Sequence, residues 1–433
     1  MTSVVWFACL GAAAWAAASP VDAVESSVAV KEAATSVNLS ASDWPQWRGP
    51  QRNGHLEQAA PWPDALDSGR LKLLWRVPLG PSYSGPIVVG PRVFVTETRD
   101  RKNEVASALD RATGKQLWET SWAGAMSVPF FAKENGDWIR STPACDGDAL
   151  YVAGMRDVLH CLDAQTGARR WQIDFVERYK TPLPAFGYVS SPLVEGTDLY
   201  VQAGASCFKL DKLTGKEIWR TLQDGGGMFG SAFSSPCLAV LAGRRQLLVQ
   251  TREKLAGVDP ATGSVFWDQV IPTFRGMNIL TPTVQGDTVF TSAYNGKSHL
   301  FRISPADETQ QPKLSEIWTN KVRGYMSSPV VVDNHVYLHL QNQRFSCIDL
   351  STGETKWTTA PFGKYWSMVV NGNKILALDE QGKLLLIRAN PERFELLDSR
   401  EISDEPTWAY LAVSGNELFV RELNALAAYR WSD

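Results

Sequence analysis

The stretch "LDAQTGARRW" (residues 162–171) decides the fold, because the chain repeats it with small changes. The other copies are "LDRATGKQLW" (109–118), "LDKLTGKEIW" (210–219), "VDPATGSVFW" (258–267) and "IDLSTGETKW" (348–357). In every copy a Trp stands eight positions after the Asp. A phrase that returns at such regular intervals indicates a fold built from one repeated unit.

Each copy ends a longer unit, which we interpret as four short β-strands. In "SSPVVVDNHVYLHLQNQRFSCIDLSTGETKW" (327–357) the strands are rich in β-branched residues and alternate in polarity. In the turn before the last strand, we expect Asp349 to accept hydrogen bonds from amides and Gly353 to adopt a positive φ. The Asp residues of the phrase are therefore interpreted as structural and not as a catalytic series.

The spacing of the tryptophans predicts an all-β, eight-bladed β-propeller with four-stranded blades. The tryptophans that end successive units from Trp118 to Trp357 are 39 to 53 residues apart, a period typical of propeller blades. A seventh unit has Leu396 in place of the indole, and an eighth stops after three strands. The strand-like "LKLLWRVPLG" (71–80) is expected to complete the eighth blade and close the ring, with seven blades as the alternative. The residues expected to dock between neighbouring blades are Trp75, Trp118, Trp171, Trp219, Trp267, Trp318 and Trp357.

The N-terminus predicts export. Residues 4–18 form an uncharged apolar run of fifteen residues, which is short for a bilayer span of about 20 residues but suits a signal peptide. We predict a signal peptide over 1–23, a flexible spacer over 24–42, a lead-in segment over 43–70 and the propeller over 71–433. The mature chain would then be a periplasmic or extracellular monomer without a transmembrane span. An uncleaved anchor is the alternative.

Composition and cysteine usage exclude several classes of function. A net charge of −3 gives no reason to expect nucleic acid, which needs a concentrated basic surface. His335 and His339 lie too far apart on a strand to share one metal ion, and we predict no metal site. The cysteines beyond the signal peptide form no CxxC or adjacent pair and are expected in the core, with one disulfide as the alternative. They are Cys145, Cys161, Cys207, Cys237 and Cys347.

The repeated phrase, the "SSPVV" starts and the count of eight units resemble the quinoprotein (PQQ-like) β-propeller family. The stretch "DWPQWRGPQRNG" (43–54) is similar to the segment that precedes many such propellers. The resemblance implies one of two classes: dehydrogenases that bind pyrroloquinoline quinone (PQQ) and calcium, or non-catalytic exported propellers of the BamB type. Many of the dehydrogenases use adjacent cysteines, and some carry CxxCH; this chain has neither. It therefore resembles the BamB type more, which implies no cofactor, and PQQ with calcium is the alternative.

The loops that enter the first strand of each blade are expected to surround one mouth of the central channel. Every one of these loops carries an aromatic residue, which suits a flat or aromatic ligand. Arg140, Arg275, Arg323 and Lys364 are expected to face this mouth and favour an anion, the alternative being aromatics packed on the blade tops and solvated cations. The candidate ligand-binding residues are Tyr83, Trp138, Arg140, Tyr188, Phe229, Arg275, Met277, Arg323, Tyr325, Lys364, Trp366 and Trp408.

In the lead-in segment, Trp44 and Trp47 are expected to plug the far end of the propeller or to attach the spacer to it. Arg48 and Arg52 would donate hydrogen bonds to carbonyls, and a partner-docking role is the alternative. These features together favour an exported binding or scaffolding protein whose mouth takes a small anionic or aromatic ligand or a protein partner. The alternatives are a PQQ- and calcium-dependent alcohol or sugar dehydrogenase with an atypical site, and then a hydrolase or lyase. The sequence names no catalytic residue.

Overall fold

A computed structural model describes residues 39–57, 59–227, 230, 232–305 and 311–432. The predicted signal peptide, most of the predicted spacer and the candidate residue Phe229 lie outside the described residues. Within the described ranges the chain forms thirty-two strands arranged as eight four-stranded antiparallel sheets. The prediction of an all-β propeller with eight blades is therefore confirmed.

The blades follow one another along the chain, except that the first strand, β1 (Leu71–Pro78), precedes blade 1. Blades 1 to 4 comprise β2 (Ile87–Val89), β3 (Arg92–Arg99), β4 (Asn103–Asp110) and β5 (Gln116–Ala123); β6 (Ala144–Cys145), β7 (Ala149–Gly154), β8 (Val158–Asp163) and β9 (Arg169–Asp174); β10 (Leu193–Glu195), β11 (Asp198–Ala203), β12 (Ser206–Asp211) and β13 (Glu217–Thr221); and β14 (Cys237–Leu241), β15 (Arg244–Gln250), β16 (Lys254–Val258) and β17 (Val265–Val270). Blades 5 to 8 comprise β18 (Thr283–Gln285), β19 (Thr288–Ser292), β20 (Ser298–Ser304) and β21 (Lys313–Asn320); β22 (Val330–Val332), β23 (His335–His339), β24 (Arg344–Asp349) and β25 (Thr355–Pro361); β26 (Trp366–Asn371), β27 (Lys374–Asp379), β28 (Lys383–Arg388) and β29 (Glu395–Glu401); and β30 (Ala412–Ser414), β31 (Glu417–Arg421) and β32 (Ala425–Trp431) with β1.

Helices are few and short in the described part of the chain. The α-helix α1 (Phe175–Tyr179) follows β9, and Asp174 caps it by accepting a hydrogen bond from the amide of Glu177 (2.8 Å). Two 3-10 helices, Phe130–Asn135 and Phe274–Gly276, lie in loops that precede first strands. Across the described residues, no helix has the length and apolar character needed to cross a bilayer.

The N-terminal strand closes the ring, as predicted. β1 pairs antiparallel with β32, and Leu71 lies opposite Trp431 and Trp75 opposite Ala428. Blade 8 therefore contains three strands from the C-terminal end of the described chain and one strand from before blade 1. This arrangement joins the two ends of the propeller through backbone hydrogen bonds, which is how closed all-β folds avoid an open end.

Six of the seven predicted docking tryptophans make a hydrogen bond to the neighbouring blade. Each donates its Nε1 hydrogen to a backbone carbonyl in the next blade, and in five copies this carbonyl belongs to the residue after the Asp of the phrase. The pairs are Trp75 with Arg111 (3.0 Å), Trp118 with Ala164 (3.2 Å), Trp171 with Lys212 (3.1 Å), Trp219 with Pro260 (3.3 Å), Trp318 with Leu350 (2.8 Å) and Trp357 with Asn390 (2.8 Å).

The phrase requires a glycine because the indole of the preceding blade packs directly against this position. At Gly353, φ is 74°, and a Cβ would lie 2.5 Å from a ring carbon of Trp318. Asp349 accepts hydrogen bonds from the amides of Ser351 (2.9 Å) and Thr352 (3.0 Å), so both turn predictions are confirmed. The same crowding against the preceding Trp occurs at Gly114, Gly167, Gly215 and Gly263.

Two docking positions depart from the pattern of the repeat. Trp267 packs in a buried cluster with Val289 and Phe301 of blade 5, but it donates its Nε1 hydrogen to Oε1 of Gln246 in its own blade (2.7 Å), because blade 5 has no copy of the phrase to receive it. Leu396 does not take the place of the indole, since its side chain is 41% exposed. The register of β28 with β29 puts Asp398 at that position, where Oδ2 accepts a hydrogen bond from the amide of Leu66 (2.6 Å).

The five cysteines in the described chain are buried free thiols, which confirms the core prediction.

Candidate binding site at the channel mouth

Eight aromatic side chains, one from each loop that precedes a first strand, surround one mouth of the channel. We call this set the aromatic crown. All eight line a cavity of about 470 Å³, which we call the mouth cavity. In blade order the aromatic crown consists of Tyr83, Phe131, Phe186, Phe233, Phe274, Tyr325, Tyr365 and Trp408.

Neighbouring rings of the aromatic crown contact one another. Tyr83 stacks on Trp408 with centroids 4.7 Å apart, Trp408 meets Tyr365 edge-on at 4.6 Å, and Tyr365 lies 5.7 Å from Tyr325. Tyr294, in the turn after β19, extends this run, with its centroid 4.5 Å from that of Tyr325. On the opposite side, the rings of Phe131, Phe186 and Phe233 form a second run with centroid distances of 6.3 and 5.6 Å. Such contacts hold the rings in place before any ligand arrives.

Three arginines give the mouth cavity a positive charge. Arg140 donates hydrogen bonds to the carbonyls of Gly136 (3.0 Å) and Trp138 (3.2 Å), and the guanidinium of Arg252 lies 4.9 Å from the ring centroid of Phe233. Burial lowers the pKa of Arg140 and of Arg252 to about 10, so both remain protonated at neutral pH. Arg275 is exposed, and its carbonyl accepts a hydrogen bond from Arg252.

The described residues that line the mouth cavity include no Asp, Glu or Lys. The carboxylates that raise the pKa of the two buried arginines lie behind the lining and not in it. They are Asp137 and Glu104 for Arg140, and Asp224 and Glu253 for Arg252. The cavity therefore presents cations and aromatic faces, a combination that favours an anionic group attached to an apolar or aromatic one.

A ring of hydroxyl groups sets the spacing of the first strands at the base of the mouth. The amide just before each of six first strands donates a hydrogen bond to a hydroxyl oxygen of another blade, and these distances are 2.7–3.4 Å. The donors and acceptors are Gly85 to Thr142, Thr142 to Ser191, Ser191 to Ser235, Ser235 to Thr281, Thr281 to Ser328, and Ser328 to Tyr410. The Ser/Thr-Pro pairs of the sequence supply most of these hydroxyls.

The lead-in segment forms a floor under the mouth cavity. Trp44 pairs with Val88 through two backbone hydrogen bonds (2.8 and 2.9 Å). Trp47 lines the mouth cavity and contacts the ring of Tyr410 edge-on at 5.1 Å. The guanidiniums of Arg48 and Arg52 lie 5.5 Å and 5.6 Å from its ring centroid. Both arginines donate hydrogen bonds to backbone carbonyls, as the sequence predicts.

The structure divides the candidate residues of the sequence analysis into two groups. Arg323 and Lys364 are exposed outside the mouth cavity, Tyr188 is buried against Phe175, and Trp138 lies behind the lining. The candidates that line the mouth cavity are Tyr83, Arg140, Arg275, Met277, Tyr325, Trp366 and Trp408.

Sequence reasoning missed several lining residues. Arg252 lies in the turn between β15 and β16, whereas the sequence analysis searched only loops that precede first strands. The missed aromatics stood in the correct loops, but no pattern showed which ring of a loop faces the channel. They are Phe131, Phe186, Phe233, Phe274, Tyr365 and Tyr410.

Comparison with known proteins identifies the family. Residues 101–359, more than half of the chain, match the family model described as outer membrane protein assembly factor BamB. The chain belongs to the BamB family. BamB of Yersinia pestis is 21% identical over 259 residues, which cover 57% of this chain but only 63% of that protein. BamB of Moranella endobia is 22% identical over 355 residues, covering 77% of this chain and 84% of the relative.

Solved structures of BamB and of dehydrogenases share the fold. BamB from Moraxella catarrhalis superposes with a TM-score of 0.57 at 15% identity, over 84% of this chain and 98% of that one. Quinohemoprotein alcohol dehydrogenase from Comamonas testosteroni gives 0.62 at 13% identity, over 90% and 80%. A polyvinylalcohol dehydrogenase from Sphingopyxis is 28% identical in sequence, but only over 47% of this chain and 31% of that enzyme.

The mouth cavity does not fit the cofactor set of the dehydrogenases. Calcium takes six to eight oxygen ligands, usually including carboxylates, and the described lining offers no carboxylate. No cysteine lines the cavity, so the described residues offer no disulfide on which a quinone could stack. Elsewhere in the described chain, no group of three or more His, Cys, Asp or Glu side chains could hold a metal ion.

Proposed function

We propose that this chain is an exported binding and scaffolding propeller that holds an acidic, aromatic-containing segment of a protein partner in its mouth cavity. Its setting would be the assembly of outer membrane proteins, the role that the name of the BamB family states. The observation that carries the proposal is the aromatic crown with three arginines and no carboxylate among its described lining residues.

The geometry of the mouth cavity suits a few side chains of an extended polypeptide. A volume of about 470 Å³ is enough for two or three large side chains but not for a folded domain. Aromatic side chains of the partner would stack on the aromatic crown, and its carboxylates would pair with Arg140, Arg252 and Arg275. Because Trp47 closes the floor, such a segment would enter and leave by the same opening.

Binding of defined peptides tests the proposal. The probes are two fluorescent peptides of about ten residues in which Phe alternates with Glu in one and with Lys in the other. We expect the acidic peptide to bind at least about tenfold more tightly, because only its charges complement the arginines. If neither peptide changes its anisotropy at protein concentrations up to about 1 mM, the proposal is wrong.

A dehydrogenase is the second candidate, because a polyvinylalcohol dehydrogenase is among the relatives. Its test is addition of PQQ and calcium to the purified protein. Bound quinone absorbance together with dye reduction that depends on an alcohol would replace the binding proposal with the dehydrogenase. If neither bound quinone nor dye reduction is observed, the dehydrogenase is rejected and the peptide experiment decides the binding proposal.

A further inference from the structure

The lead-in segment contacts six blades and leaves two uncovered. Through backbone or side-chain hydrogen bonds it reaches the first strands, or the residue directly before them, of blades 1, 2, 3, 6 and 7, and the partners there are Val88, Cys145, Pro192, Pro329 and Val370. In blade 8 the amide of Ser432, directly after β32, donates a hydrogen bond to the carbonyl of Arg70. Among the described residues, no hydrogen bond joins the lead-in segment to blades 4 and 5.

A second cavity opens at this gap. We call it the far cavity; its volume is about 430 Å³. Arg48 and Arg52 line it from the lead-in segment, and Cys237, Ala239 and Thr283 line it from blades 4 and 5. Trp47 lines the mouth cavity, and the guanidiniums of Arg48 and Arg52 lie within 5.6 Å of its ring centroid, so the lead-in segment contributes to both cavities.

Arg48 and Arg52 bring two positive charges into the far cavity without a described counter-charge. Each is only 2% exposed, and all their hydrogen bonds go to backbone carbonyls or to the amide oxygen of Gln46. Nε of both arginines has no hydrogen-bond partner among the described residues. Burial lowers the pKa of both, that of Arg52 to about 9, which leaves both guanidiniums protonated at neutral pH.

The carboxylates on the rim of the far cavity do not neutralise these arginines. Glu57 and Glu195 are exposed, and Glu195 pairs with Arg245. Neither makes an ion pair with Arg48 or Arg52 in the described structure.

A third deeply buried arginine of the propeller differs in the charges around it. Arg421 is 1% exposed and also donates its described hydrogen bonds to backbone carbonyls, but the charges of Glu97, Glu405 and Glu422 raise its pKa against the effect of burial. No carboxylate raises the pKa of Arg48 or Arg52 in this way.

We propose that the far cavity binds a small oxyanion, a phosphate, sulfate or carboxylate group, against Arg48 and Arg52. A buried charge without a partner is unfavourable, and guanidinium binds oxyanions through charge-assisted hydrogen bonds. Both arginines line the open volume of the far cavity, which provides the place for such a group. This site is independent of the peptide-binding role proposed for the mouth cavity.

Thermal unfolding of the full chain in different salts tests this site. We expect tens of millimolar phosphate to raise the Tm about 2–4 °C more than sodium chloride of equal ionic strength. The same measurement is made in sulfate and in malonate. A larger rise in sulfate would show a preference for tetrahedral anions, and a larger rise in malonate a preference for carboxylates. Equal Tm values in phosphate, sulfate, malonate and chloride would overturn the proposal.

Single substitutions test whether the anion-dependent rise in Tm comes from the far cavity. Arg48→Gln is expected to abolish the anion-dependent rise, whereas Arg245→Gln, on the rim of the same cavity, and Arg275→Ala, in the mouth cavity, keep it. Should Arg48→Gln fail to fold, Ala239→Leu fills part of the far cavity and leaves both arginines in place; it too is expected to lose the rise. A rise that survives in the far-cavity variant, or that disappears in Arg275→Ala, contradicts the assignment.

Discussion

The ring of Tyr83 stacks on the ring of Trp408 with centroids 4.7 Å apart and an angle of 20° between their planes. Tyr83 precedes blade 1 and Trp408 precedes blade 8, so the contact spans the point at which the ring closes. The pairing of β1 with β32 therefore does more than hold the propeller together. It brings the first and last members of the aromatic crown into contact and completes the mouth cavity.

Removing one ring from the aromatic crown should weaken peptide binding. Trp408→Ala loses the contacts to Tyr83 and Tyr365, each worth about 0.5–1.5 kcal/mol, and we expect about tenfold weaker binding of the acidic Phe-Glu peptide in an anisotropy titration. Trp408→Phe is the conservative control and should lose less than threefold. Unchanged affinity in Trp408→Ala would show that the peptide does not bind in the mouth cavity.

An arginine should contribute to peptide binding only if it lines the mouth cavity. Arg275 lines the mouth cavity, whereas Arg323 is similarly exposed but lies outside it. Arg275→Ala should therefore weaken binding of the acidic peptide about five- to tenfold at low salt, and the matched variant Arg323→Ala should leave it within a factor of two. Equal losses in the two variants would mean that only general surface charge attracts the peptide.

The contact between the indole and the glycine should affect the free energy of unfolding. Gly353→Ala puts a Cβ 2.5 Å from the ring of Trp318 at a φ of 74°, and we expect a loss of about 2–4 kcal/mol in the free energy of unfolding. Gly372 also has a positive φ, 58°, but a Cβ there meets nothing within 4 Å, so Gly372→Ala should cost only about 1 kcal/mol. Urea unfolding followed by Trp fluorescence compares the two. Similar losses would show that backbone strain, and not the indole contact, determines the need for glycine.

Glu104 should make stability depend on pH. Its carboxyl is fully buried between blades 1 and 2, and burial raises its pKa to about 7, although Trp122 (2.8 Å) and the amide of Met155 (2.7 Å) donate hydrogen bonds to it. A folded pKa above the ordinary value near 4.5 means that this stabilisation is complete below about pH 4.5 and is lost as the pH rises through about 7. The loss amounts to about 3 kcal/mol, because one pKa unit corresponds to about 1.4 kcal/mol.

The variant Glu104→Gln isolates this effect, because three buried histidines change stability in the opposite direction as the pH rises. The stability of the wild type relative to the variant should therefore fall between pH 4.5 and pH 8, measured by urea unfolding at each pH. A difference that stays constant over this range contradicts the prediction. The three histidines, whose pKa burial lowers, are His55, His160 and His339.

The fold could be predicted from the sequence because its determinants recur at every blade. The Asp, Gly and Trp of the phrase each have a local role, and the role repeats with the phrase. Two positions depart from the repeat. Trp267 donates its hydrogen bond to Gln246 because blade 5 lacks the phrase. In blade 7 the bulge that precedes the docking position, as in the other blades, puts Asp398 there and leaves Leu396 exposed.

The candidate site could be predicted only in outline. The sequence shows that each mouth loop contains an aromatic residue. It does not show which ring faces the channel, because that depends on the backbone path of the loop. Tyr188, for example, packs against Phe175 while Phe186 of the same loop lines the cavity. Arg252 reaches the mouth cavity from a different turn, so only the three-dimensional arrangement reveals it.

Hydrogen exchange of the wild-type protein with and without the acidic peptide tests the central claim most directly, because it locates the bound segment without a mutation. We predict that the peptide slows amide exchange in the mouth loops 78–86, 322–329 and 405–411 and leaves the outer strands β13, β21 and β25 unchanged. Protection confined to those outer strands, with exchange in the mouth loops unaltered, would contradict a binding site at the mouth.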